Sequence, residues 1–280
     1  MRDVHYNDIV RAVRDLCIQA NCILPEDLKC ALSCSLEKEH SPSGRAILED
    51  LVCNYTFAQE KMLPICQDTG MAVVFIELGQ EVHITDGLLG DAVNEGVAQG
   101  YTEGFLRKSV VSDPIRRCNT NNNTPAILHL TLVAGDQITI TVAPKGFGSE
   151  NMTSLHMLKP SATVEDIENV IIAAVAAAGS NPCPPLVVGV GLGGDAEYCA
   201  ILAKRALLRP VGQRNADPFY AELEERLLAR INDLGIGPQG LGGTTTALAV
   251  AIEPWPTHIA GLPCCVCLGC HATRHASCVL

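Results

Sequence analysis

The sequence is poor in aromatic residues and in charge. Phe, Tyr and Trp make up only 4% of its 280 residues and Asp, Glu, Lys and Arg 18%, against 48% hydrophobic residues. So few charges, with apolar residues recurring throughout, exclude a disordered chain and leave material for one large core or two small ones. A cationic surplus is also missing. The formal charge of −11 argues against a nucleic acid or an anionic membrane as partner, because either requires a basic face. An anionic substrate would have to be held by a few local cations. No apolar segment follows the opening Met1-Arg-Asp-Val-His-Tyr-Asn-Asp8, so no export signal is expected. The longest uncharged run, Asn169 to Gly194, is broken by Gly179, Asn181, Pro182, Pro184 and Pro185 and reads as helix, turn and strand, not as a membrane span.

Cysteine, in contrast, is plentiful: there are fourteen. In a chain of this length without an export signal they are expected to stay reduced. Metal binding is then the default for any that converge, and the expected setting is cytoplasmic.

The patterns along the chain predict a mixed α/β (α+β) fold, with helices packed around a mixed, partly antiparallel sheet. Helical patterns dominate the first sixty residues. Leu128, Leu130 and Leu132, then Ile138, Ile140 and Val142, alternate with polar residues across Ala134-Gly135-Asp136, which predicts a hairpin. Thr163 and Asp166 form a capping-box pattern ahead of Ile167, Val170, Ile171, Ala174 and Val175, with Gly179 as the stop. Leu186-Val187-Val188 predicts a buried strand, Asp195 and Asp217-Pro218 open two further helices, and Thr246–Ile252 predicts another strand.

Gly189-x-Gly191-x-x-Gly194, with Asp217 further on, has the outline of a dinucleotide fingerprint. No repeating strand–helix series surrounds it, and glycines easing a tight strand-to-helix turn explain it more simply. The cysteines fall into groups. Cys17, Cys22, Cys30, Cys34, Cys53 and Cys199 sit in helical patterns and read as small hydrophobes. Cys66, in Pro64-Ile-Cys-Gln-Asp-Thr-Gly70, and Cys183, in Pro182-Cys-Pro-Pro185, lie among turn formers. Cys270 belongs to Cys267-x-x-Cys270-His271-x-x-x-His275. A zinc finger is disfavoured there because Cys270 and His271 are adjacent, whereas a tetrahedral site wants a longer excursion between ligand pairs. Three separated loop thiols suit an iron–sulfur cubane with one iron left open, but spacing alone does not bring them together.

Longer blocks carry a resemblance. Pro64–Gly70, Leu106-Arg-Lys-Ser-Val-Val111, Asn119-Thr120 with Asn123-Thr-Pro-Ala126, and Pro144-Lys-Gly-Phe-Gly-Ser-Glu-Asn151 are four of them. Cys183-Pro-Pro185, Leu202-Ala-Lys-Arg-Ala-Leu207, Gly235–Gly243 and Cys270-His-Ala-Thr-Arg-His-Ala276 follow in order. Together they resemble the class I, iron–sulfur-dependent fumarate hydratase family, which includes tartrate dehydratase, and within it the alpha subunit or N-terminal domain. The glycine run at 189–194 belongs to the same pattern, which lowers the nucleotide reading further.

The resemblance implies a 4Fe-4S cluster held by Cys66, Cys183 and Cys270, on loops converging at one edge of the fold. It implies reversible hydration of fumarate to malate, with the open iron as Lewis acid. Tartrate dehydratase, or a methylfumarate-type hydratase, is the neighbouring alternative; a non-catalytic metal-binding subunit is the alternative of another class. Residues 1–280 would form a single cluster-binding domain, with a second catalytic domain carrying the general base on a separate beta chain, most simply in an alpha-two beta-two assembly. This chain alone would then turn over poorly, and the enzyme would lose activity in air. Catalytic candidates are Asp68 and His258. Substrate-binding candidates are Gln67, Asp68, Arg107, Gly146, Gly148 and His258, with Arg107 first because a guanidinium grips a carboxylate through two parallel hydrogen bonds. His271, Arg274 and His275 are candidates for orienting the Cys270 loop. Three departures stand out: Asn121-Asn122 replaces Gly-Asp, Phe147 replaces the middle of three glycines, and Cys264, Cys265 and Cys267 crowd Cys270 and offer Cys267 as a substitute ligand.

Overall fold

The computed structural model describes all residues, Met1–Leu280, and divides into two compact units. The first comprises Met1–Pro25, Tyr55–Phe147 and Arg274–Leu280; the second comprises Glu26–Asn54 and Gly148–Thr273. In chain order the elements are β1 (Arg2–His5), α1 (Tyr6–Cys22), α2 (Glu26–Lys38), α3 (Pro42–Lys61), β2 (Met71–Gly79), β3 (Val82–Thr85), α4 (Leu89–Glu103), β4 (Ile127–Val133) and β5 (Ile138–Lys145). They continue with α5 (Phe147–Glu150), β6 (Ser154–Leu158), α6 (Val164–Ala178), β7 (Leu186–Gly194), α7 (Ala196–Ala206), α8 (Pro218–Asn232), β8 (Ala247–Thr257), β9 (Leu262–Gly269) and β10 (Ala276–Val279). This is a mixed α/β fold whose strands form two four-stranded mixed sheets and a parallel β1–β3 pair. No helix is long and apolar enough to cross a membrane.

In the first unit the sheet order is β10-β5-β2-β4. The alternating segments at 127–133 and 138–145 are strands, but they do not form a hairpin. Strand β2 lies between them, antiparallel to β5 and parallel to β4. The reason is burial. Val73, Val74, Phe75 and Ile76 of β2 are buried on both faces, so this strand takes the centre, whereas β4 leaves Leu130 and Leu132 exposed at the edge. Helices α1 and α4 cover one face through Ile9, Val13, Val93 and Val97, against Val74, Ile76, Ile140 and Val142.

In the second unit the order is β6-β9-β7-β8. Strands β7 and β8 are parallel, so a crossover must join them, and α7 and α8 supply it. The predicted start and stop signals hold here. Thr163 and Asp166 form the capping box of α6 with Gly179 as C-cap, Asp195 caps α7, and Asp217 caps α8 with Pro218 at its first turn. Ile171, Val175, Leu227 and Ile231 pack against Val188, Val190, Val250, Ile252 and Val266. The glycine pattern at 189–194 lies within β7 and lets α7 settle on it. A Cβ at Gly191 would stand 2.0 Å from the carbonyl oxygen of Cys199, and one at Gly189 2.3 Å from that of Ala203. The glycines therefore serve a close strand–helix approach, and the fingerprint reading lapses.

Candidate functional site

The first unit carries Cys66, Gln67, Asp68, Arg107 and Gly146. Residues 64–70 lead into the central strand β2 and are fixed from several sides. Thr69 Oγ1 accepts from Arg107 N (2.9 Å) and donates to Arg107 O (3.2 Å). The buried Tyr101 hydroxyl donates to Thr69 O at 2.8 Å. Asn123, fully buried and left-handed at φ 62°, accepts from Ser109 N and Val110 N at 2.7 and 3.1 Å and donates to Gly70 O at 3.2 Å. A short asparagine suits that conformation while its amide bridges two loops. The segment that presents Arg107 is thus tied to the segment that presents Cys66 and Asp68, and the Arg107 side chain is exposed.

The Asp68 carboxylate spans two turns, accepting from Gly70 N at 3.0 Å and Phe147 N at 2.8 Å. The Phe147 amide, between Gly146 and Gly148, is therefore engaged by Asp68. Arg274, 4% exposed, donates to Asp68 O (2.5 Å) and Asn21 Oδ1 (3.1 Å) and so acts on the Cys66 loop. The Cys66 sulfur is half-buried; it accepts from Asp68 N at 3.4 Å and lies 3.3 Å from Gln67 Oε1.

The second unit carries Cys183, Cys270, His271, Gly148 and His258. Cys183 is exposed and sits at φ 56° between two prolines. Its carbonyl accepts from His271 N at 3.2 Å, which joins its loop to the one that follows β9. Cys270 is half-buried, and its carbonyl accepts from Thr273 N (2.9 Å) and Thr273 Oγ1 (2.8 Å). Gly148 lies against Asn181 of the Cys183 loop, its missing Cβ 3.3 Å from Asn181 O. His258 is exposed in the turn after β8, where its Nδ1 accepts from Ala260 N at 3.1 Å; no hydrogen bond links it to either cysteine loop.

Burial separates these thiols from the rest. It pushes the Cys17, Cys264 and Cys265 thiols up to about 12 and Cys199 to about 11, which keeps them protonated. Cys267 is fully buried in β9, where Thr153 Oγ1 donates to its sulfur at 3.6 Å. That position seals it from solvent, despite its nearness to Cys270 in sequence. Cys66, Cys183 and Cys270 lie on hydrogen-bonded loops with access to solvent, and three accessible thiols of this kind are the donor set that an iron–sulfur cluster takes. No three His, Cys, Asp or Glu side chains gather round one single-ion position. A cubane asks for something else, since each thiolate binds a different iron and the ligands stand further apart than those of one ion.

A family model described as fumarate hydratase (fumerase) matches residues 10–279. The chain belongs to the fumerase family. The family span includes every loop described above. A relative from Methanocaldococcus jannaschii, provisionally named as an L(+)-tartrate dehydratase subunit alpha, is 42% identical over 269 residues, covering 94% of each chain. The L(+)-tartrate dehydratase subunits alpha of Escherichia coli K12 and Shigella sonnei are each 30% identical over 275 residues, covering 97% of this chain and 90% of theirs. Fumarate hydratase and tartrate dehydratase are both names of hydro-lyases.

Sequence reasoning missed several residues that hold the fumerase-family loops: Tyr101, Asn123, Gln239 and Glu39. Asn123 and Gln239 fall inside the blocks 123–126 and 235–243 that carry the resemblance, but without a role, and Tyr101 and Glu39 gave no signal. Glu39 is 2% exposed. Its carboxylate accepts from Thr244 N at 2.9 Å, Thr245 N at 3.0 Å and Ser41 N at 3.0 Å. Burial would raise this carboxyl, but the hydrogen bonds outweigh burial and hold it at about 2, below the ordinary 4.5. A carboxyl depressed in the folded state stabilises above its unfolded value and loses that stabilisation as pH falls towards its folded value. Urea unfolding at several pH values should therefore show wild type more stable than Glu39→Gln near neutrality. About 2 kcal/mol of that difference should disappear between pH 6 and pH 3. A constant difference would mean that Glu39 is not held ionised.

Proposed function

We propose that the chain is the alpha subunit of an iron–sulfur hydro-lyase that removes water from, or adds it to, a four-carbon dicarboxylate. The observation that carries this reading is the contrast among thiols within the family-matched span: Cys66, Cys183 and Cys270 are accessible on ordered loops, while Cys264, Cys265 and Cys267 are sealed in a strand. These three would hold a 4Fe-4S cluster. When bound, such a cluster with one open iron supplies a Lewis acid that draws negative charge from a departing hydroxyl.

The remaining work falls to side chains. Elimination of water takes an unacidic proton from the carbon beside one carboxylate and expels hydroxide from its neighbour. Arg107, exposed on a segment fastened to Thr69, would bind one of the two carboxylates and fix the substrate in one orientation. Gln67 and Asp68 flank a ligand thiol and would hold the substrate hydroxyl, Gln67 as an amide donor and Asp68 as an acceptor held by Gly70 and Phe147. The backbone at Gly146 and Gly148 would give a carboxylate close access, and His258 would reach the substrate from its own turn. The general base would come from the separate beta chain with which this subunit assembles, in a cytoplasmic enzyme.

Malate and fumarate are the substrate pair that the sequence resemblance suggests first. The names of the curated relatives favour L-tartrate, which loses water by the same elimination to give the enol of oxaloacetate. The test is anaerobic co-purification with a beta-type partner, then iron and acid-labile sulfide analysis and assays with malate, fumarate and L-tartrate. About four irons and four sulfides per chain, with turnover of one of these acids, would support the reading. Zinc without sulfide, or no metal after reconstitution, would leave the non-catalytic metal-binding alternative in its place.

A further inference from the structure

We infer that Gln239 is a positioning residue that locks the Cys183 and Cys270 loops together, and that Glu39 holds the glycine loop carrying it; this rests on the reading that these two thiols are cluster ligands. The loop in question, residues 235–246, joins α8 to β8. Gln239 occupies the left-handed region, φ 52° and ψ 16°, a conformation that costs a non-glycine residue energy and persists only where the surroundings enforce it. Both of its donors point one way. Backbone N and side-chain Nε2 each donate to Pro184 O at 2.8 Å, and Pro184 directly follows Cys183.

The same Nε2 lies 3.1 Å from His271 Nδ1, and His271 directly follows Cys270. Nδ1 also stands 3.2 Å from Cys183 O, so this one ring nitrogen faces both the glutamine amide and the carbonyl of the first ligand residue. The His271 backbone N–H meanwhile donates to Cys183 O at 3.2 Å. One glutamine therefore touches the residue after each ligand, and the two ligand loops also touch each other. Close packing keeps the loop in place: Gly240, at φ 77°, approaches Ser180 so tightly that a Cβ would stand 2.3 Å from the Ser180 Cβ. Cys183 N in turn donates to Ser180 O at 3.0 Å.

Glu39 fastens the far end. Its carboxylate receives Thr244 N and Thr245 N, and a Cβ at Gly243 would lie 3.0 Å from its Oε1. A carboxylate that neither contacts a cysteine nor faces solvent thus sets the loop from which Gln239 reaches both thiol-bearing segments. Partners of this kind around metal ligands change metal retention about 10- to 100-fold when removed.

The test is Gln239→Leu, which keeps bulk and removes the side-chain donors, compared with wild type in the full chain. Hydrogen exchange of the His271 amide in metal-free, reduced protein is expected to speed up at least about tenfold, with the amides of β7 and β9 unchanged. In the anaerobically loaded complex, iron release to a chelator should speed up by about the same factor. Glu39→Gln, which touches neither cysteine loop, should loosen the same amide in the same direction. Unaltered His271 exchange in both variants would overturn the inference, as would loosening spread equally over β7 and β9, which would make both residues merely structural. If wild type holds no iron, the proposed function fails while the amide measurement still decides this inference.

Discussion

Cys183→Ser is expected to leave the chain folded and to abolish the cluster, while Cys267→Ser, only three residues from another ligand candidate, is expected to leave the cluster intact. Removing residues next to metal ligands typically costs 10- to 100-fold, so removal of a ligand should lower activity of the alpha–beta complex by more than about 100-fold. The folded state should tolerate the change because Cys183 is exposed, in a loop fixed by backbone groups: Ser180 O receives its N–H and its own carbonyl receives His271 N. Serine keeps both. Cys267 is the opposite case. It is fully buried beside Thr153 and Glu150, so its substitution should act on stability, by about 1 kcal/mol, and not on iron content. Iron, acid-labile sulfide and unfolding midpoint, measured together on the two variants, separate the outcomes. Equal iron loss in both would mean that burial in β9 does not protect Cys267 from cluster chemistry, and full retention in Cys183→Ser would remove that residue from the ligand set.

The contrast also shows what was legible in the chain. Caps and stops were readable because each is a local event. Thr163 with Asp166, Asp195, and Asp217 with Pro218 each satisfy the amides of their own first turn, whatever the rest of the molecule does. Strand pairing was not readable. The alternation at 127–133 and 138–145 marks two strands correctly, but which strand lies beside which is settled by the burial of β2, a non-local property. The thiols divide in the same way. Cys264, Cys265, Cys267 and Cys270 are indistinguishable by spacing, and only the end of β9 at Gly269 separates three sealed side chains from one on a loop. Motif resemblance named Cys66, Cys183 and Cys270, whereas residues that brace their loops from a distance, Glu39 and Tyr101 above all, carry no pattern of their own. Glu39 meets Thr244 across about two hundred residues of sequence, and no periodicity spans such a gap.

Gly191→Ala should be strongly destabilising for so small a change. The added Cβ would lie 2.0 Å from Cys199 O and 2.7 Å from Ala203 N. Both are backbone atoms of α7, so no side chain can swing aside, and the helix itself would have to lift from β7. Lifting it breaks more than contact: the Cys199 thiol donates to Gly191 O at 3.1 Å, and burial keeps that thiol protonated and able to donate, pushed up to about 11. Overpacking in a close-packed core costs about 1–3 kcal/mol, and a clash with fixed backbone belongs at the upper end. About 3 kcal/mol corresponds to a fall of roughly 6–12 °C in melting temperature for a chain of this size. Gly90→Ala is the matched control, because it lies in the first turn of α4 with nothing within 4 Å of the added carbon, and alanine there should be neutral or stabilising by up to about 1 kcal/mol. Thermal unfolding of both variants distinguishes steric need from helix propensity. If Gly191→Ala melts like wild type, the glycines of β7 are not there for the approach of α7, and the nucleotide-fingerprint reading of residues 189–194 would have to be reopened by a direct binding measurement with NAD.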